Sequence, residues 1–461
     1  MKKQLLLLCS NLCILSFNAQ VCFNTGVNYP VGYIFGYTAD PNAISSADYN
    51  GDGFLDLVTI TQTPGGGGFL SVLLGNGNGT FSPASTSGAG KFNSIISADF
   101  NADGIQDLAA TCNASGIMSV NWTLGNGIGG FGTWQSSSLG SAGPVSLVAV
   151  DINSDGKLDI ATANQNSNNI SILIGSGAGS FASAVYIAVS SGPVDITAAD
   201  FNGDGKIDIA TANYGSNNIT RLLGNGSGGF GVAANFALNS QPTAIVSHDF
   251  NGDGKPDIAT TNTYSSNISV LLGTGSTGNF SAVNNIALSF TPRSLTKADF
   301  NGDGKEDLAT TNSVSNIAVL LGNGVGAFGP EILFPTPANG SSIAIAKDFN
   351  GDGKSDIVTM NSTFDDNVSI LLNCFSPTNL TENSFTTNLS IYPNPAFSQL
   401  TVKSEITLGT ITLTNLLGSV VYKENVKENE TNIDVSKLTT GVYFVETILN
   451  EKRSVSKLVK E

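Results

Sequence analysis

Hard oxygen donors at fixed spacing are the chemistry this sequence offers. The nine-residue pattern D-x-N-x-D-G-x-x-D starts at Asp48, Asp99, Asp151, Asp200, Asp249, Asp299 and Asp348, at intervals of 51, 52, 49, 49, 50 and 49 residues. Each copy supplies a carboxylate at position 1, an amide oxygen at position 3 (Asn50, Asn101, Asn153, Asn202, Asn251, Asn301, Asn350) and a carboxylate at position 5 (Asp52, Asp103, Asp155, Asp204, Asp253, Asp303, Asp352). A backbone carbonyl at position 7 (Phe54, Ile105, Lys157, Lys206, Lys255, Lys305, Lys354) and a closing carboxylate at position 9 (Asp56, Asp107, Asp159, Asp208, Asp257, Asp307, Asp356) complete the set. Such sets suit a hard cation with a large, adaptable shell, so one Ca²⁺ per loop is expected, about seven in all. Mg²⁺ wants stricter octahedral geometry, and zinc wants the His and Cys ligands that are missing. Asp and Asn also populate ordinary turns, but seven copies in register point to metal. Ala102 and Ser154 replace the usual glycine at position 4, and no departure touches a ligand position.

The charge follows the loops. Twenty basic residues face 36 acidic ones, for a net charge of −16. From Leu389 onward eight basic side chains balance eight acidic ones, so the imbalance lies before it, where the seven motifs supply 21 of 28 acidic residues. The acidity is a ligand inventory, and without cations the loops repel one another. No basic patch is present to neutralise phosphates, which argues against nucleic acid as a partner.

Catalytic chemistry is scarce. The one histidine, His248, takes the place of Ala199 or Ala298 just before an acidic loop and reads as a variant strand residue rather than a general base. No nucleophile motif is found, and the carboxylates are committed to the loops. A binding module, not an enzyme, is the expectation; a polysaccharide-active, lyase-like enzyme is the rival.

The elements that position these loops are strands. In one unit Val194–Ala199 precedes the loop Asp200–Asp208; Ile209–Asn213, Ile219–Leu223 and a stretch ending near Leu238 follow, separated by Gly, Asn and Ser turns. Short β-favouring runs between turn residues are hairpin strands, and four per 50 residues make the blade of a propeller. Glycine segments recur at Leu74–Phe81, Gly125–Phe131, Gly175–Phe181, Gly224–Phe230, Gly273–Phe280 and Gly322–Phe328. Because they lie between strands, they read as hairpin turns anchored by phenylalanine, not as phosphate cradles, which must open a helix.

Loops and Leu-Gly-Asn-Gly-x-Gly-x-Phe turns together resemble the FG-GAP/VCBS repeats of the integrin α-subunit propeller, over roughly residues 21–375. The resemblance implies an all-β fold: a seven-bladed β-propeller over 20–375. It also implies that the acidic loops lie on the face opposite the ligand site. A surface glycan or protein ligand would then meet the connections Gln62–Phe69, Asn113–Ile117, Asn164–Asn169, Asn213–Asn218, Asn262–Asn267, Asn312–Asn316 and Asn361–Asn367, among them Tyr214, Tyr264, Phe364, Asp365 and Asp366. In such a ring the chain opens after a turn residue, Phe23, and ends at Leu371–Phe375 where a seventh turn is due. The N-terminal segment then supplies the last blade's outer strand. Closure would bring Cys22 beside Cys374, and a disulfide between them is expected. Cys112 matches Ala212 or Thr261 in register and reads as a packed thiol.

The two ends carry address signals. Lys2, Lys3 and the apolar run Leu5–Leu15 before Ala19 predict a cleaved secretory signal over 1–19. The run is too short to span a bilayer permanently, and no later stretch is apolar enough for a transmembrane segment. After a polar linker at 376–387, glycine becomes scarce over 388–461 and six short alternating strands suggest a small immunoglobulin-like β-sandwich. Tyr392-Pro393-Asn394-Pro395, the turn Leu416–Gly418, the Leu438–Tyr443 segment and the basic end at Lys457–Lys460 resemble the type IX secretion sorting domain. That implies contact with the type IX machinery and a secreted or outer-surface location.

Overall fold

The structure, a computed structural model, describes residues 21–31, 40–63, 67–114, 116–140, 142–238, 240–312, 316–337, 340–361, 367–375, 390–404, 409–415, 420–449 and 452–461. The signal at 1–19, the linker at 376–387, the turn Leu416–Gly418 and parts of four candidate ligand connections, with Phe364, Asp365 and Asp366, lie outside the described residues. The chain divides into two units, Met1–Phe375 and Ser376–Glu461.

The first unit is all-β, built from repeated four-stranded antiparallel sheets of the kind that make a β-propeller; seven are seen among the described residues. In a representative sheet Pro193–Ala199, Asp208–Asn213, Asn218–Leu222 and Ala234–Ala237 pair in chain order, with Ile196 opposite Thr211, Thr211 opposite Thr220 and Ile219 opposite Phe236. The second strand is buried along its whole length. A strand covered on both faces reads as an uninterrupted apolar or small-residue run rather than an alternation, which is why Ile209-Ala210-Thr211-Ala212 shows no period of two. The outermost strand alternates exposed and half-buried residues, as an edge facing water does.

Successive sheets are stitched by aromatic contacts at one end. The residue at loop position 2 is buried and meets the glycine-turn phenylalanine of the following unit edge-on: Tyr49 with Phe131 at 5.4 Å, Phe100 with Phe181 at 5.3 Å, Phe201 with Phe280 at 5.5 Å and Phe250 with Phe328 at 5.4 Å between centroids. Ile152 takes this place once and packs with Phe230 in the same cluster. Each aromatic pair of this geometry contributes roughly 0.5–1.5 kcal/mol beyond its buried area.

The series closes on itself. Val27–Pro30 pairs antiparallel with Asn367–Leu371, so the last sheet runs, from its edge inward, Val27–Pro30, Asn367–Leu371, Asp356–Asn361, Ser341–Lys347. Phe349 of this sheet meets Phe81 at 6.0 Å, Phe23 serves as the missing turn phenylalanine against Phe300 at 5.9 Å, and Lys347 Nζ donates to the Ser46 carbonyl at 2.9 Å. Cys22 and Cys374 are joined by a disulfide, with Cα atoms 5.2 Å apart.

Cys112 is buried, but strand pairing puts it opposite Phe92, where Pro144, Pro193 and Pro242 face Asn164, Asn213 and Asn262. It therefore replaces those asparagines, not Ala212 or Thr261. The second unit has seven strands among its described residues instead of six. The basic end forms Lys452–Lys460, which pairs along Gly441–Leu449 in a four-stranded sheet beside a three-stranded one. In the unit's core Leu400, Val402 and Ile433 of one sheet meet Ile411, Leu413, Val445 and Leu458 of the other.

Candidate metal centre

Each acidic loop leaves the innermost strand and returns as the buried second strand, so its tip is exposed while its closing aspartate is carried inside. In the loop at 200–208, Asp200 Oδ1 accepts the amides of Gly203 at 2.7 Å and Asp204 at 3.1 Å, and its Oδ2 accepts that of Gly205 at 2.7 Å. Asn202 Oδ1 accepts the Asp204 amide at 2.9 Å, and Asp204 Oδ1 the Lys206 amide at 3.0 Å. Short acidic and amide side chains capping their own backbone in this way are the usual makers of tight turns. Gly203 and Gly205 have positive φ, and the same left-handed step is taken by Ala102 at 59° and Ser154 at 61°, a conformation that is costly for non-glycine residues.

The closing aspartate has a second task that sequence reading did not assign. Asp208 is fully buried, its Oδ2 accepting the Phe201 amide at 2.9 Å and its Oδ1 the Gly224 amide at 2.7 Å. The same pair of bonds recurs at Asp56, Asp107, Asp159, Asp257 and Asp307. One carboxylate thus ties the loop to the first glycine of the glycine turn. In that glycine turn the residue must be glycine, because a Cβ on Gly224 would lie 2.0 Å from the Ile207 carbonyl oxygen. In the last sheet Asn373 stands in its place, donating its amide to Asp356 Oδ1 at 2.7 Å and its side-chain Nδ2 to the Phe300 carbonyl at 2.9 Å.

Burial raises these carboxyls, against the pull of the two amides. Asp208, Asp257 and Asp356 are pushed up to about 6 and Asp307 to about 7; Asp56, Asp107 and Asp159 are also raised. The carboxylates at positions 1 and 5 push in the same direction at most of these sites, for example Asp200 and Asp204 on Asp208. Clustered like charge of this kind is relieved by a bound cation.

The residues fit a hard cation. Every candidate donor is oxygen, and a carboxylate accepting two or three amide bonds still has lone pairs to give. Among the described residues no group of three acidic, histidine or cysteine side chains is drawn together in a metal-holding arrangement; what is preformed is the backbone cradle.

His248 is not an isolated strand variant. Lys297 Nζ lies 3.0 Å from its Nδ1 and Glu306 Oε1 3.7 Å from its Nε2, both from the next unit. Burial first, and then Lys297, hold the imidazole below its usual range.

At the other end of each sheet the asparagines proposed for ligand binding divide. Asn164, Asn213, Asn262 and Asn361 are buried, each donating Nδ2 to the asparagine that opens the next strand and to a Ser or Thr hydroxyl beyond it, at 2.6–2.9 Å. They fasten the turn and offer nothing outward. Tyr264 is exposed and Tyr214 half-buried, on turns of adjacent units with ring centroids 6.4 Å apart.

Repeated four-stranded sheets, each carrying one acidic loop between its innermost and second strands, define a repeat-propeller protein. The chain belongs to the FG-GAP-like repeat family, matched over 48–110, 99–162, 151–211, 200–260, 249–310 and 299–359. Each match begins at one acidic loop and runs past the next, so six matches take in all seven loops. Residues 390–461 match the secretion system C-terminal sorting domain, which directs type IX secretion to the cell surface or beyond and implies contact with that machinery. Among the described residues no helix is long and apolar enough to cross a membrane. No curated protein matches the chain. Among solved structures, BBS1N in complex with ARL6DN, soaked with lead, is 14% identical with a TM-score of 0.52, covering 77% of this chain and 98% of that one. The periplasmic gluconolactonase PpgL of Pseudomonas aeruginosa is 14% identical with a TM-score of 0.50, over 64% of this chain and 85% of that one. A protein from Lactobacillus plantarum is 12% identical with a TM-score of 0.51, over 65% and 86%. Such identities speak for the fold alone.

Proposed function

We propose that this is an exported, calcium-stabilised seven-bladed β-propeller that binds a glycan or protein ligand at the cell surface or outside the cell, carried there by an immunoglobulin-like sorting module. Residues 1–19 are its cleaved signal, 20–375 the propeller, 376–387 a linker and 388–461 the module. The ions are structural, held by positions 1, 3, 5, 7 and 9 of the seven loops, where they offset clustered carboxylates and fix connections that repel when bare. The observation that carries the reading is the division of labour along each sheet. Repeated chemistry that faces solvent is confined to the loop end, while the opposite end, its repeated asparagines turned inward, presents a varied surface with Tyr264 exposed and Tyr214 half-buried on it. Aromatic side chains with a polar tip suit recognition of sugars and protein loops.

A glycan panel tests this directly. Saturable binding that is lost in Tyr214→Ala and Tyr264→Ala without product formation supports the reading, and release of cleaved sugar would replace it with an enzymatic one. The cluster of His248, Lys297 and Glu306 is the observation favouring that rival. His248→Ala removes turnover on the rival reading and leaves ligand binding intact on ours.

A further inference from the structure

Position 7 separates the seven loops into two kinds. In five of them it is lysine, and the ammonium stands beside Oδ2 of the position 5 carboxylate: Lys157 at 3.8 Å from Asp155, Lys206 at 3.6 Å from Asp204, Lys255 and Lys305 at 3.3 Å from Asp253 and Asp303, and Lys354 at 3.1 Å from Asp352. In the first two loops it is Phe54 or Ile105. There the same Oδ2, of Asp52 or Asp103, accepts the Asn50 or Asn101 amide at 2.8 Å.

A shared structural demand explains why a long side chain stands there. It covers a glycine of the neighbouring turn: a Cβ on Gly77 would lie 2.3 Å from the Phe54 ring, one on Gly127 3.2 Å from Ile105, and one on Gly226 3.2 Å from the Lys206 stem. Phenylalanine, isoleucine and the methylenes of lysine all meet that demand. Only lysine adds a charge.

We infer that the loops form two classes of cation site, those at 48–56 and 99–107 binding Ca²⁺ more tightly than the five whose lysine acts as a tethered competitor. The inference rests on the calcium reading above. Before a divalent ion can use the full position 5 carboxylate, the ammonium must leave it, and wherever the lysine goes it stays near a like charge. Half-exposed pairs of this type carry modest energies, so the expected gap is about three- to tenfold in affinity. Added salt screens the lysine and narrows the gap. Glu306 does not restore the balance in the loop at 299–307, since its carboxylate faces His248. Rising calcium would therefore occupy the first two units first, on the side of the ring where the chain's opening strand closes it.

Calorimetric titration of the calcium-stripped full chain with Ca²⁺ decides the matter. The expected result is two sites resolved from five. Lys206→Met keeps the stem over Gly226 and should move one site into the tight class, whereas Phe54→Lys should remove one. Seven equivalent sites, or five tight and two weak, overturn the inference while leaving the calcium reading standing. No uptake of Ca²⁺ at all overturns both.

Discussion

The two ends of each sheet follow opposite rules. At the loop end one arrangement recurs seven times down to individual bonds, with the position 2 amide on the closing aspartate at 2.9 Å in every unit. At the other end only the inward-facing asparagine recurs, in five of the units, and what faces solvent varies from Gln165 to Tyr214 to Tyr264. An end that must satisfy buried carboxylates leaves little room for change. An end whose polar groups are satisfied from within is open to become a recognition surface.

Removing the cations should break the comparison most severely. Chelation is expected to lower the Tm by more than about 10 °C, with Ca²⁺ restoring it, because ions bound only to the folded chain stabilise it by mass action. An unchanged Tm in calorimetry would deny the loop end its stabilising role. Next comes the seam: Cys374→Ser opens a link spanning 352 residues, which the chain-entropy model values at about 6 kcal/mol, readable in the denaturation midpoint of oxidised protein.

A pH effect follows in size. The closing carboxyls are raised in the folded state, to about 6 at Asp208, Asp257 and Asp356 and about 7 at Asp307, so the folded chain holds protons that the unfolded chain releases. Their contribution is fully present below the unfolded value near ~4 and is lost as pH climbs through 6 to 7. Calcium-free protein should therefore melt at lower temperature at pH 8 than at pH 5, and saturating Ca²⁺ should reverse that slope, since the ion needs deprotonated ligands.

Smaller again is Asp195, whose carboxylate accepts Ser146 Oγ at 2.7 Å and the Ile245 amide at 2.8 Å and so bridges three consecutive units. Asp195→Ala leaves those donors unmatched and should cost about 1–3 kcal/mol by chemical denaturation. Least for stability is Tyr264→Ala, expected within about 0.5 kcal/mol of the parent yet measurably weaker in glycan binding. A ligand that binds this variant unchanged would move the recognition surface elsewhere.

The loops were legible because their donors recur at fixed offsets within nine residues, and the strands because β-favouring runs sit between turn residues. Bonds set by pairing register were not. Nothing near Asp208 announces that its partner is Gly224, since two intervening strands decide that meeting. The buried asparagines looked like surface turn residues for the same reason. The contacts of His248 come from an adjacent unit, so only the stacking of sheets reveals them. The one-residue insertion in the turn at Gly273–Phe280 was visible, but its outcome, a 3₁₀ turn at Gly275–Thr277 whose Thr277 carbonyl accepts Arg221 Nη1, needed the structure.

The strand at Val27–Pro30 finds its partner at Asn367–Leu371, and this imposes an order in time. A chain made or exported from its beginning delivers that strand first and its mate some 340 residues later. Every other sheet can assemble from a contiguous stretch as it emerges; this one waits. The ring is thus completed by its oldest and newest segments together.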